Sequence, residues 1–221
     1  MSRLLKKIAV LLPVIVLTFY YLRSHYSSEY SHAGARRLAL FALTLFILYA
    51  WFFREVWVRQ QDNFAQFLLQ SSFFVYVFMV LTLTGYFVLF REISTQGSWE
   101  RMVRRFEQRD HVNTELFQIF KIYKLSDTQV LGNFVMLLPL GIYLPLLYKR
   151  MRGFLPVLAV SMLASIMIEF FQLITRFRSA DIDDVLLNTA GACVGYIIYR
   201  AVKAVMTSSQ QSSKLNSTPS S

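Results

Sequence analysis

The stretch that decides the fold runs from Phe67 to Phe90, reads FLLQSSFFVYVFMVLTLTGYFVLF and contains no charged residue. A helix of about 20 mostly apolar residues crosses the roughly 30 Å hydrocarbon core of a bilayer, so this stretch is long enough to span it. A transmembrane β-strand would instead alternate polar and apolar side chains, whereas residues Val75 to Leu81 are apolar on every side. The stretch therefore predicts a membrane-spanning helix.

Five further apolar stretches accompany this one, and together they predict an all-α integral membrane protein with a bundle of six transmembrane helices. Hydrophobic residues make up 55% of the 221 residues and charged residues 16%, whereas a soluble domain carries about 25% charged residues. This composition excludes an ordinary soluble domain. The other predicted spans are Leu4 or Ile8 to Leu22, Leu38 to Phe53, Val130 to Tyr148, Phe154 to Ile174 and Val185 to Tyr199.

The net charge of +10 points to the membrane surface and not to a nucleic acid. The basic residues cluster beside the apolar stretches, where lysine and arginine anchor helices and contact anionic headgroups. We therefore expect membrane lipids as partners and no nucleic acid. Outside the long third loop the basic residues are concentrated on the side of the two termini, so the positive-inside rule places both termini in the cytoplasm.

The connection from Arg91 to Gln129 is the longest in the chain and contains an amphipathic interfacial segment. Trp99, Met102, Val103 and Phe106 recur at helical spacing, and arginines occupy the other face. The pattern is typical of a helix lying in the headgroup plane. The alternative is that these aromatic side chains cap the bundle without contacting lipid.

Seven polar residues within and beside the last three spans form a candidate polar pocket. With six spans, the loops before the fourth and sixth spans lie on the same side of the membrane, so all seven converge on that side. An ionisable group inside a span is by default a functional hypothesis with a partner to be named, and for Glu169 the predicted partner is Arg176 or Arg178. The seven residues are Asn133, Glu169, Gln172, Arg178, Asp181, Asp184 and Asn188.

Part of this set forms one stripe on the last span. Asp181, Asp184, Asn188 and Gly191 fall at spacings of three and four, and Gly195 continues the stripe. The two glycines form a GxxxG pattern, which lets another helix backbone approach closely, so the stripe is expected to face protein. A purely structural interpretation stays open, in which the acidic residues cap the last helix and the other polar groups hold neighbouring helices together.

Three segments within and beside the last three spans form a combined pattern. They are NFVMLLPLG from Asn133 to Gly141, EFFQ from Glu169 to Gln172, and RSADIDDVLLNTAG from Arg178 to Gly191, with Gly195 beyond them. Together they resemble the VanZ-like family of bacterial membrane proteins. The resemblance runs from about Phe73 to about Tyr199. It implies a bacterial plasma membrane protein associated with resistance to glycopeptide antibiotics, teicoplanin in particular. Among the matching positions, those expected to serve helix packing are Pro139, Gly141, Gly191 and Gly195.

The resemblance also suggests a division of the chain into three regions. Residues 1–63 supply two additional N-terminal transmembrane helices, and residues 64–205 form the VanZ-like four-helix transmembrane domain. Residues 206–221 are rich in Ser, Gln and Thr. Such a segment buries too little apolar area to order itself, so a disordered polar tail is expected.

The resemblance, together with the polar cluster beneath the arginine-rich loop, implies a non-enzymatic cell-envelope factor that binds a cell-wall lipid precursor or a lipoglycopeptide at the membrane face. It contains no nucleotide-binding, nucleophile or Cys/His metal motif, so no catalytic residue, metal or cofactor is predicted. One alternative is an enzyme acting on a lipid-linked substrate, with Glu169, Asp181 and Asp184 as acid and base or as oxygen ligands. The other is a small-molecule transporter, for which Pro139 and Pro145 would kink the fourth span.

Overall fold

The computed structural model describes residues 3–25, 35–58, 64–88, 100, 103, 112–113, 128–174 and 180–216. Within these ranges, six helices are long and apolar enough to cross a membrane. The predicted all-α membrane bundle is therefore confirmed. The helices are α1 (Arg3–His25), α2 (Ala35–Val58), α3 (Phe64–Leu83), α4 (Thr128–Leu147), α5 (Phe154–Ile174) and α6 (Ile182–Asn216).

The outward faces of these helices are apolar, which is the arrangement expected of a protein surrounded by lipid. Phe46 and Leu155 are more than 70% exposed, and Leu163 is 60% exposed. Large continuous apolar surfaces are rare on soluble monomers, whereas lipid tails solvate them without cost. The chain is therefore a multi-pass membrane protein.

The described chain folds into two compact units. The first comprises Met1–Asn113 and Met167–Asp181, and the second comprises Thr114–Ile166 and Ile182–Ser221. In the first unit α3 packs against α1. The sequence-based regions with boundaries at residues 63 and 205 stay a prediction.

In the first unit, polar contacts join α1 to α2 in antiparallel fashion. The Lys7 ammonium donates a hydrogen bond to the carbonyl oxygen of Trp57 at 3.0 Å and lies 4.2 Å from the centroid of the Trp57 ring. Deeper in the unit, the hydroxyl groups of Thr18 and Tyr49 are 2.7 Å apart. These contacts hold the start of α1 against the end of α2. A cation at this position also interacts favourably with the negative pole of the α2 dipole.

Aromatic side chains fill the space between α1, α2 and α3. The rings of Phe52 and Phe74 lie 4.4 Å apart, centroid to centroid, and both side chains are fully buried. Tyr21 contacts Phe78 edge to face at 6.2 Å. Because rings prefer such offset and edge-on geometries, they stabilise the helix contacts beyond simple area burial.

A short parallel bridge, which the sequence did not predict, joins the long loop to the residues before α6. Strand β1 (Val112–Asn113) pairs with β2 (Ala180–Asp181), with Val112 opposite Ala180. The predicted amphipathic segment lies mostly outside the described residues, which include only Glu100 and Val103 of it. Its placement at the headgroups stays a prediction.

In the second unit, α4 and α6 run parallel and pack backbone to backbone. A methyl group added at Gly191 would overlap the carbonyl oxygen of Phe134, and one at Gly141 would overlap that of Ala192. Such small residues allow the close approach on which helix association in membranes depends. Along this contact the matched positions are Val130 with Leu187, Phe134 with Gly191, and Leu138 with Gly195.

Helix α6 continues to Asn216, so the disorder expected from residue 206 does not begin there. Three hydroxyl groups bond back to carbonyl oxygens one turn earlier: Thr207 to Lys203 at 2.9 Å, and Ser208 and Ser209 to Ala204 and Val205 at 3.0 Å. The helix therefore continues past its apolar part, and its side chains are exposed as far as Ser209. Composition alone misses this, because propagating an existing helix is easier than nucleating a new one.

Candidate functional site

The first turn of α6 buries two adjacent carboxylates in the second unit. Asp183 is 2% exposed and Asp184 is 7% exposed. The positive pole of the helix dipole at this end favours negative charge, which offsets part of the cost of burying it. The candidate polar pocket predicted from the sequence includes Asp184 and does not include Asp183.

Next along α6, Asn188 forms a hydrogen bond with α5. Its side-chain amide donates to the hydroxyl of Ser165 at 3.0 Å, and both side chains are fully buried. At about 1.5 Å of rise per residue, Asn188 lies about 9 Å into the helix from Ile182. The bond therefore joins two spans inside the apolar part of the unit.

More hydrogen-bonding capacity exists here than this bond uses. The Asn188 amide oxygen and the Ser161 hydroxyl are buried, and neither has a hydrogen-bond partner among the described residues. If the amide oxygen and nitrogen of Asn188 were exchanged, one of the two atoms would still have no hydrogen-bond partner among the described residues. Ser161 lies one turn from Ser165 on the same face of α5, and we refer to Ser161, Ser165 and Asn188 as the polar seam.

Thr189, which follows Asn188 on α6, is a further residue with a buried polar group that lacks a partner among the described residues. Its hydroxyl is buried, and within the described parts of the chain it has no partner. Buried polar groups in proteins are nearly always hydrogen-bonded, and an exception calls for an explanation such as strain, a catalytic role, or a bound water molecule or ion. The available groups are hydroxyls, which donate and accept, and an amide oxygen, which accepts.

In the first unit, Glu169 is held by the backbone near the start of α6. Its Oε2 accepts a hydrogen bond from the amide of Asp181 at 3.1 Å, and Glu169 is 6% exposed. Gln172, three residues further along α5, is also buried. Arg176 and Arg178, the predicted partners of Glu169, lie outside the described residues, so that pairing stays a prediction.

The other predicted positions lie on α4. Asn133 is half-buried and directly precedes Phe134, whose carbonyl faces Gly191. Pro139 is half-buried within the helix, and Gly141 is buried against α6. Because α4 and α6 are parallel, Asn133 lies at the same end of the second unit as Asp184 and Asn188.

The structure thus groups the predicted residues in two sets, each within its own unit. Asn133, Asp184 and Asn188 belong to the second unit, and Glu169, Gln172 and Asp181 belong to the first. A single pocket made of all of them stays a prediction. Sequence reasoning missed Ser161 and Ser165, although their spacing of four on an apolar helix was a usable signal.

The acidic residues do not form a metal site in the part of the chain that the structure describes. No group of three or more His, Cys, Asp or Glu side chains there has the arrangement to hold a metal ion. The carboxylates of Asp183 and Asp184 lie in the first turn of α6, where the positive pole of the helix dipole favours negative charge.

Comparison with known proteins identifies the family. The model of the VanZ/LLP1 family matches residues 40–203, which is most of the chain. The chain belongs to the VanZ/LLP1 family. The match begins within α2, earlier than the resemblance near Phe73, and ends in α6. The buried carboxylates of α6, the polar seam and the α4–α6 glycine contact are therefore all in the VanZ/LLP1 region.

A curated relative agrees with this assignment. The chain is 32% identical over 71 residues to Protein VanZ of Enterococcus faecium, and the alignment covers 32% of this chain and 44% of that protein. The matched part therefore spans less than half of the relative. No solved structure matches the chain.

Proposed function

We propose that this VanZ/LLP1 family member is a non-enzymatic cell-envelope factor. In this proposal it lowers sensitivity to teicoplanin-type glycopeptides by binding a lipid-linked or lipoglycopeptide molecule at the membrane face. The observation that carries the proposal is the polar seam, where the buried Ser161 hydroxyl and the Asn188 amide oxygen have no hydrogen-bond partner among the described residues. Family membership and the similarity to Protein VanZ support the link to glycopeptides.

The chemistry of the polar seam favours a neutral polar ligand group. Asn188 offers an acceptor and Ser161 offers either role, so amide N–H groups and sugar hydroxyls are suitable donors. Both kinds of group occur in lipoglycopeptides and in lipid-linked cell-wall precursors. Asp184 lies one turn from Asn188 on α6, so a change of its carboxylate alters the charge beside the polar seam.

Charge distribution supports an outward-facing site. Lys149, Arg150, Arg152, Arg200 and Lys203 lie at the end of the second unit opposite Asp183 and Asp184, and the sequence has no acidic residue from 128 to 168 or after Asp184. The positive-inside rule places the basic end in the cytoplasm. The proposed topology therefore has both termini inside a bacterial plasma membrane and the buried carboxylates near the outer leaflet.

The proposal is tested by teicoplanin susceptibility in a sensitive bacterium that expresses the full chain. Expression is expected to raise the inhibitory concentration, and Asp184→Asn is expected to remove most of the gain at an equal membrane level. The matched control is Ser209→Ala, which alters an exposed hydroxyl bonded only to its own helix. An inhibitory concentration that expression never changes would contradict the proposal.

A further inference from the structure

At the basic end of the second unit, α4 and α6 separate and leave a groove. Their backbones are in contact through Gly141 and Gly195. Beyond that contact lies a cavity of about 330 Å³, a volume at the lower end of the range of ligand pockets. We refer to it as the basal groove. Its apolar walls are formed by Ile142, Pro145, Leu146, Ile198, Val202 and Met206.

Two cations line the same groove. Arg152 belongs to the turn between α4 and α5, and Lys203 lies on α6 just past Arg200. The Tyr196 hydroxyl donates a hydrogen bond to the Arg152 carbonyl at 2.9 Å, which fixes the backbone that carries the guanidinium. The Lys203 ammonium lies 5.9 Å from the centroid of the Tyr199 ring, which also lines the groove.

The sequence regions that carry these two cations contain no acidic residue. No aspartate or glutamate occurs between residues 128 and 168 or after Asp184. Lysine and arginine at the end of a span reach the headgroup level, where they meet lipid phosphates. A guanidinium and an ammonium that face one groove are therefore complementary to a phosphate group.

The walls show which kind of phosphate compound fits. Leu146, Ile198, Val202 and Met206 are between 42% and 60% exposed, so they would face hydrocarbon in a membrane. A ligand with an apolar chain and an anionic head satisfies both the walls and the cations. A small soluble phosphate would leave the apolar walls without a partner.

We infer that the basal groove binds an anionic phospholipid, with an acyl chain along Ile142, Leu146 and Ile198 and the phosphate between Arg152 and Lys203. This site is separate from the polar seam, which lies nearer the other end of α6. It therefore does not depend on the proposed function. A lipid held here would fill the gap between α4 and α6 below their glycine contact.

The test is lipid binding to the purified full chain, titrated with phosphatidylglycerol or phosphatidylcholine and measured by native mass spectrometry. The intact protein is expected to prefer phosphatidylglycerol. The pair Arg152→Gln with Lys203→Gln is expected to weaken that binding roughly thirtyfold, as two cations near an anionic lipid predict. The pair Lys149→Gln with Arg150→Gln removes the same charge at the same end, outside the groove, and is expected to change binding less than about threefold.

A charge-neutral variant tests the walls. Ile198→Trp fills the groove while every cation stays, so binding of phosphatidylglycerol is expected to fall at least about tenfold. If the double variant of Arg152 and Lys203 does not fold, Ile198→Trp still tests whether the lipid binds in the groove. Equal losses in the groove pair and the control pair would overturn the inference in favour of general attraction to anionic lipid. Lack of headgroup preference, or complete competition by soluble glycerol phosphate, would overturn it too.

Discussion

The side-chain amide of Asn188 donates a hydrogen bond to the hydroxyl of Ser165 across 3.0 Å and links α6 to α5 inside the second unit. Both side chains are fully buried, so water does not compete for the bond. The bond lies one turn from the buried Asp184 and is part of the polar seam on which the proposed function rests.

This hydrogen bond predicts a small coupling energy between the two positions. In a double-mutant cycle of Asn188→Leu and Ser165→Ala, we expect a coupling of about 0.6 kcal/mol, the average for such bonds between membrane helices. The measurement is the unfolding free energy of each variant in detergent or lipid. A cycle of Asn188→Leu with Ser209→Ala is the control, since Ser209 is exposed, and coupling of the same size there would contradict the assignment.

The glycine contact predicts that a single methyl group destabilises the second unit. Gly191→Ala places a methyl group against the Phe134 carbonyl, and forcing a close-packed contact apart costs about 1–3 kcal/mol. The thermal unfolding midpoint should therefore fall. Gly132→Ala, on α4 but with open space around the added carbon, should keep or slightly raise the midpoint because alanine favours helix. Equal effects of the two substitutions would refute the packing argument.

The contact of Lys7 with Trp57 predicts a stabilising role at the end of α2. Lys7→Met removes both the charged hydrogen bond and the contact with the ring, so the unfolding free energy of the first unit should fall by about 1 kcal/mol. Arg23→Met, an exposed cation at the other end of α1, serves as the control. A thermal melt in which Arg23→Met lowers stability as much as Lys7→Met would show that net charge, not this contact, matters.

The membrane helices could be predicted because their signal is the length of an apolar stretch, which does not depend on partners. The glycine contact could also be predicted, since a spacing of four places Gly191 and Gly195 on one helix face. Both features follow from helix geometry alone. The roles that the sequence assigned to the polar residues remain predictions, although burial of Asp184 and Asn188 agrees with a stripe that faces protein.

Other features depend on information that a local pattern lacks. Ser161 and Ser165 were missed although their spacing of four is visible in the sequence. Serine is common in apolar helices, where its hydroxyl can bond to the preceding turn, and spacing alone does not show which serine lacks a partner. The pairing of Val112 with Ala180 joins distant segments over only two residues each, which is too short for a period-two pattern. The continuation of α6 to Asn216 was missed because composition was read without the helix that precedes it.

The proposed topology predicts the side from which individual positions react. In a Cys193→Ala background, Arg150→Cys and Ser209→Cys should resist a membrane-impermeant thiol reagent in intact cells and react after permeabilisation. Thr128→Cys, at the exposed start of α4, should react in intact cells. Reaction of Arg150→Cys from outside would reverse the orientation and remove the outer-leaflet site.

The measurement that tests the account most directly compares stability with protection in Ser161→Ala. The substitution removes a buried hydroxyl that has no partner among the described residues. A buried hydroxyl without a partner lowers stability by about 1 kcal/mol or more. Removing it should therefore leave the unfolding free energy unchanged or raise it. The account predicts that teicoplanin protection nevertheless falls at an equal membrane level. Full protection by Ser161→Ala would contradict a ligand-binding role of the polar seam.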